Sequence, residues 1–238
     1  MNKLLLLAAL FPGVSAVALG AEPGNPGSPQ VLTVKAARAL SPGTAVTIRA
    51  VVLNGAELGN IRYVQDGEAG LALYAQPTKL PGYGELRAGD SIQVTGQLKV
   101  YNGLLEMDPI VSVRKLAGGV RLRPVQVPAA QATAAFSEAN EGRLLEIKGV
   151  SRLATSTGAP ATALSGNTNY LLDAVPGAIL RVGAASTGPE GLVNATPPTT
   201  ETFDVRGILT QFAPGGAEAT ACCPAWRPTW CRRARKTP

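Results

Sequence analysis

The strongest constraint on the fold is that the chain repeats itself. Gly59-Asn60-Ile61-Arg62-Tyr63-Val64-Gln65-Asp66-Gly67-Glu68-Ala69-Gly70 returns as Gly166-Asn167-Thr168-Asn169-Tyr170-Leu171-Leu172-Asp173-Ala174-Val175-Pro176-Gly177, with Gly, Asn, Tyr, Asp and Gly at identical spacing. The flanks recur too: Val46 to Leu53 with Leu144 to Leu153, Leu71 to Ala75 with Ala178 to Val182, and Val94 to Leu98 with Val205 to Leu209. Two copies of one unit therefore account for the chain.

Each copy opens with an Ala-rich stretch, Val34 to Leu40 and Ala129 to Ala139, and continues in short alternating runs broken by Gly, Pro and Asn. That pattern predicts an all-β unit with a short helix at one end. In the first copy it predicts strands at 45–53, 61–66, 70–75, 90–100 and 104–115, with Asp66-Gly67 and Asn102-Gly103 as tight turns. So short a sheet leaves costly open edges. Closing five strands into a barrel removes them and buries Val46, Ile48, Val64, Ile92, Val94 and Leu98; a sandwich is the alternative.

Tyr63-Val64-Gln65-Asp66-Gly67 with Gly70-Leu71, then Gly89-Asp90-Ser91-Ile92-Gln93-Val94-Thr95-Gly96, then Tyr101-Asn102-Gly103-Leu104-Leu105-Glu106, resemble the exported bacterial OB-fold domains found beside extracellular nucleases. The resemblance covers residues 31–116 well and 122–212 more weakly, since the second copy has Leu172 where Gln65 stands. It implies an all-β chain of two tandem five-stranded OB-type Greek-key barrels, each preceded by a short helix, with domains at 31–118 and 119–216. It also implies binding of single strands across the second and third strands and the last hairpin. Those positions hold Arg62, Tyr63, Gln65, Leu73, Tyr74, Lys99, Tyr101 and Asn102 in the first copy, and Asn169, Tyr170 and Arg181 in the second. Tyr63 and Tyr101 are the stacking candidates. Alternation sends Tyr63 and Val64 to opposite faces, so Tyr63 and Gln65 point outward if Val64 is core. The alternative is that Tyr63 and Tyr170 recur because the barrel wall needs an aromatic cover.

Residues 1–21 read as a secretory signal: Lys3, an apolar run Leu4 to Leu10, and small residues at Val14-Ser15-Ala16 and Leu19-Gly20-Ala21. Pro12-Gly13 breaks the run well short of a membrane span. A Pro- and Gly-rich leader, 22–30, follows. The formal charge of +6 suggests a polyanion partner, but five basic residues crowd the C-terminus and the body is nearly neutral. A neutral body lacks the broad field of a non-specific duplex binder, so a nucleic-acid site has to be local.

From residue 217 the character changes. Cys222, Cys223, Cys231, Trp226, Trp230 and the run Arg232-Arg233-Ala234-Arg235-Lys236 show no strand periodicity, and the second copy is expected to lack its last strand. With GC-rich codons, a two-base shift turns Glu218 to Cys231 into GYRLLPRLAADVV, an apolar strand led by a turn Gly. We therefore read 217–238 as an aberrant tail from a frameshift or sequencing error near Gly216; the alternative is a genuine tail, with Arg232 to Lys236 as a polybasic nucleic-acid or surface arm and Cys222, Cys223 and Cys231 as a redox or metal cluster.

The chain contains no His, which removes Ser-His-Asp and Cys-His catalysis. The carboxylate pairs Asp66/Glu68, Glu106/Asp108 and Glu138/Glu141 read as solvated surface. No nucleotide loop or nucleophile elbow occurs, and no cofactor or metal is called for. The expected function is non-catalytic binding of single-stranded DNA or RNA, as an accessory or remnant of an extracellular nuclease. Rival readings are an envelope module for a glycan or protein partner, and a truncated enzyme.

Overall fold

A computed structural model describes residues 30–176, 178–183, 192–211 and 220–223; for 220–223 only the backbone is considered. The short strand β1 (Val31–Leu32) leads into helix α1 (Val34–Arg38), where the Thr33 hydroxyl accepts from the Ala36 N–H at 3.1 Å, a side-chain N-cap. Then come β2 (Ala45–Val52), β3 (Ile61–Gln65), β4 (Gly70–Tyr74), β5 (Ser91–Tyr101) and β6 (Leu104–Ala117). The order β2-β3-β4-β6-β5, with β5 pairing back onto β2, closes a five-stranded barrel. Only the β4–β6 pairing within that ring is parallel.

The turns between these strands follow from their side chains. Asp66 Oδ1 accepts from the N–H groups of Glu68 and Ala69, while Oδ2 accepts from Val34 N at 2.7 Å. One carboxylate thus makes the β3–β4 turn and fastens α1 to it. Asn102 (φ 49°) and Gly103 (φ 86°) both take positive φ, as a two-residue hairpin twisted with its strands requires. The barrel interior holds the residues of the expected phase, Val46, Ile48, Val64, Ile92, Val94 and Leu98.

The second sheet is built from β7 (Val125–Pro128), β8 (Leu144–Val150), β9 (Leu153–Ala154), β10 (Thr168–Leu172), β11 (Ile179–Val182), β12 (Phe203–Gln211) and β13 (Thr220–Cys223). Helix α2 (Ala132–Ala135) lies between β7 and β8. The strand order is β7-β8-β12-β13-β11-β10-β9. β13 corrects the expectation that this copy lacks its last strand: it runs antiparallel to β12 and parallel to β11. Ladder pairing is made by backbone groups, so a segment without alternation can fill the gap. The rest of the 217–238 segment, like residues 1–29, lies outside the described residues. Among the described residues no helix is long and apolar enough to cross a membrane.

The barrel and the second sheet touch closely. A Cβ built on Gly70 would lie 2.1 Å from the carbonyl carbon of Gly142, and one on Gly142 (φ 75°) would lie 2.7 Å from Gly70. Arg38 reaches across beside them, donating from Nη2 to Glu138 Oε1 at 2.5 Å and Glu141 Oε2 at 3.1 Å.

Candidate functional site

The outer face of β3 and β4, where the resemblance places a ligand, is covered by protein. Tyr63 lies opposite Ala72 on β4, and Ala72 opposite Glu106 on β6. Tyr63, Ala72, Leu53 and Leu104 form one apolar cluster with Leu144 and Ile208 of the second sheet. Tyr63 is 4% exposed, and its hydroxyl shares a 2.6 Å hydrogen bond with Thr210 Oγ1. Gln65 Oε1 accepts from Leu144 N at 3.0 Å, and its Nε2 donates to the Arg123 carbonyl at 3.2 Å. This corrects the expected platform: Tyr63 and Gln65 do face away from the barrel core, but the second sheet occupies the space a base would need.

Arg62 is corrected for a different reason. It shares the inward phase of Val64 and is fully buried, 5.3 Å from the centroid of the Tyr83 ring. Its Nη1 donates to the carbonyls of Gly59 and Ile61, whereas Nε and Nη2 reach no protein acceptor. Tyr83, unnoticed in the sequence, closes this end of the barrel, with its hydroxyl within 2.9 Å of the Asn60 carbonyl and 2.7 Å of the Leu73 carbonyl. Burial pushes its phenol well above the usual tyrosine range, partly opposed by the Arg62 charge.

Tyr170 is likewise buried in the second core, where its hydroxyl accepts from Ser165 N at 2.6 Å. Asn169 and Arg181 remain exposed, opposite each other on β10 and β11, and joined by a 3.0 Å hydrogen bond.

The tip of the β5–β6 hairpin stays open. Tyr101 is 55% exposed. The Lys99 ammonium stands 5.6 Å from its ring centroid and donates to Asp108 Oδ2 at 2.6 Å. Asn102 forms the adjoining turn, and Tyr74, exposed at the end of β4, falls level with Asp108 by the β4–β6 register. The hydrogen bond to Asp108 raises the Lys99 pKa; burial, then the Asp108 charge, raises that of Glu106. The structure thus brings Lys99, Tyr101 and Asn102 together and separates them from Tyr63, Gln65 and the second copy's residues.

A second opening was missed. Where the connection after β6 crosses to β7, a cleft of about 710 Å³ is lined by Gly89, Arg121, Arg123, Glu146 and Arg206 among others. The sequence signal was the Arg121-Leu122-Arg123-Pro124 run between the two copies.

No family model and no curated protein matches the chain. Solved structures similar to it include two of note. One is the hypothetical protein ygiW from E. coli, at 19% identity over 37% of this chain and 90% of that one, TM-score 0.31. The other is a replication protein A heterotrimer bound to ssDNA, at 9% identity over 84% of this chain and 69% of that one, TM-score 0.23. Both likenesses are loose, and the fold class rests on the chain's own ring of strands: the closed five-stranded barrel fits an OB-fold.

Proposed function

We propose that this chain is an exported, non-catalytic binding protein of two tandem OB-type barrels. Its first barrel holds single-stranded nucleic acid at the β5–β6 hairpin tip, as an accessory of an extracellular nuclease. The repeat of pairings supports the tandem reading. β7–β8 is parallel like β1–β2, β11–β13 parallel like β4–β6, and β8–β12, β12–β13 and β10–β11 antiparallel like β2–β5, β5–β6 and β3–β4. Only Ser151 and Arg152 separate β8 from β9, which pairs with β10, so the chain itself links β9, at one end of the strand order, to β8, the second strand from the other end.

The observation that carries the ligand reading is Tyr101, an exposed ring at a turn of fixed geometry with a lysine ammonium beside it. Base stacking on such a ring contributes about 1–3 kcal/mol. Fluorescence anisotropy of the full chain with a labelled single-stranded oligonucleotide, at low and moderate salt, tests it. We expect salt-sensitive binding that Tyr101→Ala weakens by about tenfold or more. No binding at low salt, or an unaffected variant, overturns the reading.

One observation favours a glycan instead. Asp108 and Glu106 neutralise Lys99, and a ring flanked by a carboxylate and an amide suits hydroxyl groups. Binding that ignores salt and responds to neutral oligosaccharide would establish that alternative.

A further inference from the structure

We infer that the cleft between the barrel and the second sheet is a separate phosphate-binding site, in which Arg121 and Arg123 hold neighbouring phosphate groups of an extended polyanion. It uses none of the hairpin residues. Gly89 lies just before β5 and Tyr101 at its far end, so the two sites sit at opposite ends of a strand about 33 Å long when fully extended.

The connection is built to present these two side chains. Leu122 packs against the apolar cluster of Tyr63, Leu144 and Ile208. In an extended segment this turns residues 121 and 123 to the other side, both exposed and about 6.6 Å apart. Pro124 restricts Arg123 to extended backbone. Both ends are pinned: Val120 N donates to the Gly89 carbonyl at 2.8 Å, and the Arg123 carbonyl accepts from Gln65. Long side chains on a fixed backbone lose less freedom when they bind.

The charges are also available. Arg38, Lys35, Lys99, Lys115, Lys148 and Arg206 each have a carboxylate partner. The Arg121 and Arg123 side chains engage no acceptor among the described residues. Across the cleft Arg206 Nη2 donates to Glu146 Oε1 at 2.9 Å while its buried Nε reaches no protein acceptor. Lys148, 3.3 Å from Glu146 Oε2, further offsets that carboxylate. Three guanidinium groups against one carboxylate leave the cleft positive in a body that is otherwise nearly neutral. Guanidinium donors match phosphate oxygens in pairs.

The test uses the full chain, the double variant R121A/R123A, the charge-preserving R121K/R123K, and two probes: a labelled single-stranded oligonucleotide followed by anisotropy, and inorganic tripolyphosphate followed by thermal shift. Both arginines are exposed, so the double variant should melt with the parent when no probe is present. We expect R121A/R123A to lower oligonucleotide affinity about tenfold at low salt. It should also flatten the dependence of log K on log salt by about 1.4, from about 0.7 per lost phosphate contact on a single strand. Tyr101→Ala should lower affinity without changing that slope, and R121K/R123K should keep it. Tripolyphosphate stabilisation lost in R121A/R123A without oligonucleotide binding supports the cleft with a free polyphosphate as its ligand, and overturns the nucleic-acid reading of the hairpin. Oligonucleotide binding that depends on Tyr101 but keeps its salt slope in R121A/R123A, with no tripolyphosphate shift, overturns the cleft alone. Failure of both probes to bind the parent overturns both.

Discussion

Two neighbouring side chains, Arg62 and Tyr63, show how differently one strand residue and the next are used. Arg62 carries a charge into the end of the barrel, where two carbonyls and the Tyr83 ring are its partners while two of its nitrogens reach no protein acceptor. Replacing an incompletely paired buried charge by an apolar residue of similar volume is often neutral or stabilising. Arg62→Met should therefore leave the urea midpoint unchanged or raise stability by about 1 kcal/mol; a loss above about 2 kcal/mol would show that the guanidinium is better satisfied than its two carbonyl contacts imply. Tyr63 points the other way, into the contact with the second sheet. Tyr63→Ala would open a cavity costing about 3–5 kcal/mol, so lost ligand binding in that variant would report a damaged structure. The exposed Tyr101 is the clean probe.

At the scale of elements, β4 holds the clearest constraint. Gly70, its first residue, lies against Gly142, and a Cβ there would meet backbone that has no room to yield. Gly70→Ala should destabilise by about 1–3 kcal/mol or more, read as a fall in melting temperature, and an unchanged melting point would mean that the two backbones do not touch in solution. β4 also explains what was legible. All five barrel strands of the first copy, β2 to β6, fall within a few residues of their predicted ranges, because alternation reports directly which side of a barrel wall a residue faces. The covering of the outer face was not legible in that way, since it depends on how two units dock. Yet a trace of it was present: Gly70-Leu71-Ala72-Leu73 is apolar on both phases, the mark of a strand buried on both faces. Leu53 and Leu104 share the outward phase of Tyr63. Lys99, Tyr101 and Asn102 lie together where the sequence places them, because a hairpin tip is a local feature. The arginine cleft was overlooked because it needs two distant strands to close around a connection.

For the molecule as a whole, the contact between barrel and second sheet contains a titrating group. Glu141 is buried there, facing Arg38 and the exposed Glu138, and burial with the Glu138 charge raises its pKa to about 6 despite the opposing Arg38. An acid whose folded pKa lies above its unfolded value binds its proton more tightly when folded. Ionisation then weakens the fold: the penalty is absent below the ordinary pKa of 4.5, grows as pH rises, and is complete somewhat above pH 6. Allowing for solvent screening at this edge of the contact, it amounts to about 1 kcal/mol. Glu106, raised by burial beside the same contact, titrates with the same sign. The parent should therefore gain this increment between pH 7 and pH 5, the reverse of the usual behaviour of an ion-paired carboxylate. Glu141→Gln, which keeps the shape and an acceptor for Arg38 but cannot ionise, should flatten that gain. Urea midpoints of parent and variant at the two pH values measure the difference. Equal slopes would show that Arg38 holds Glu141 ionised throughout, and that the contact between the two units does not respond to pH in this range.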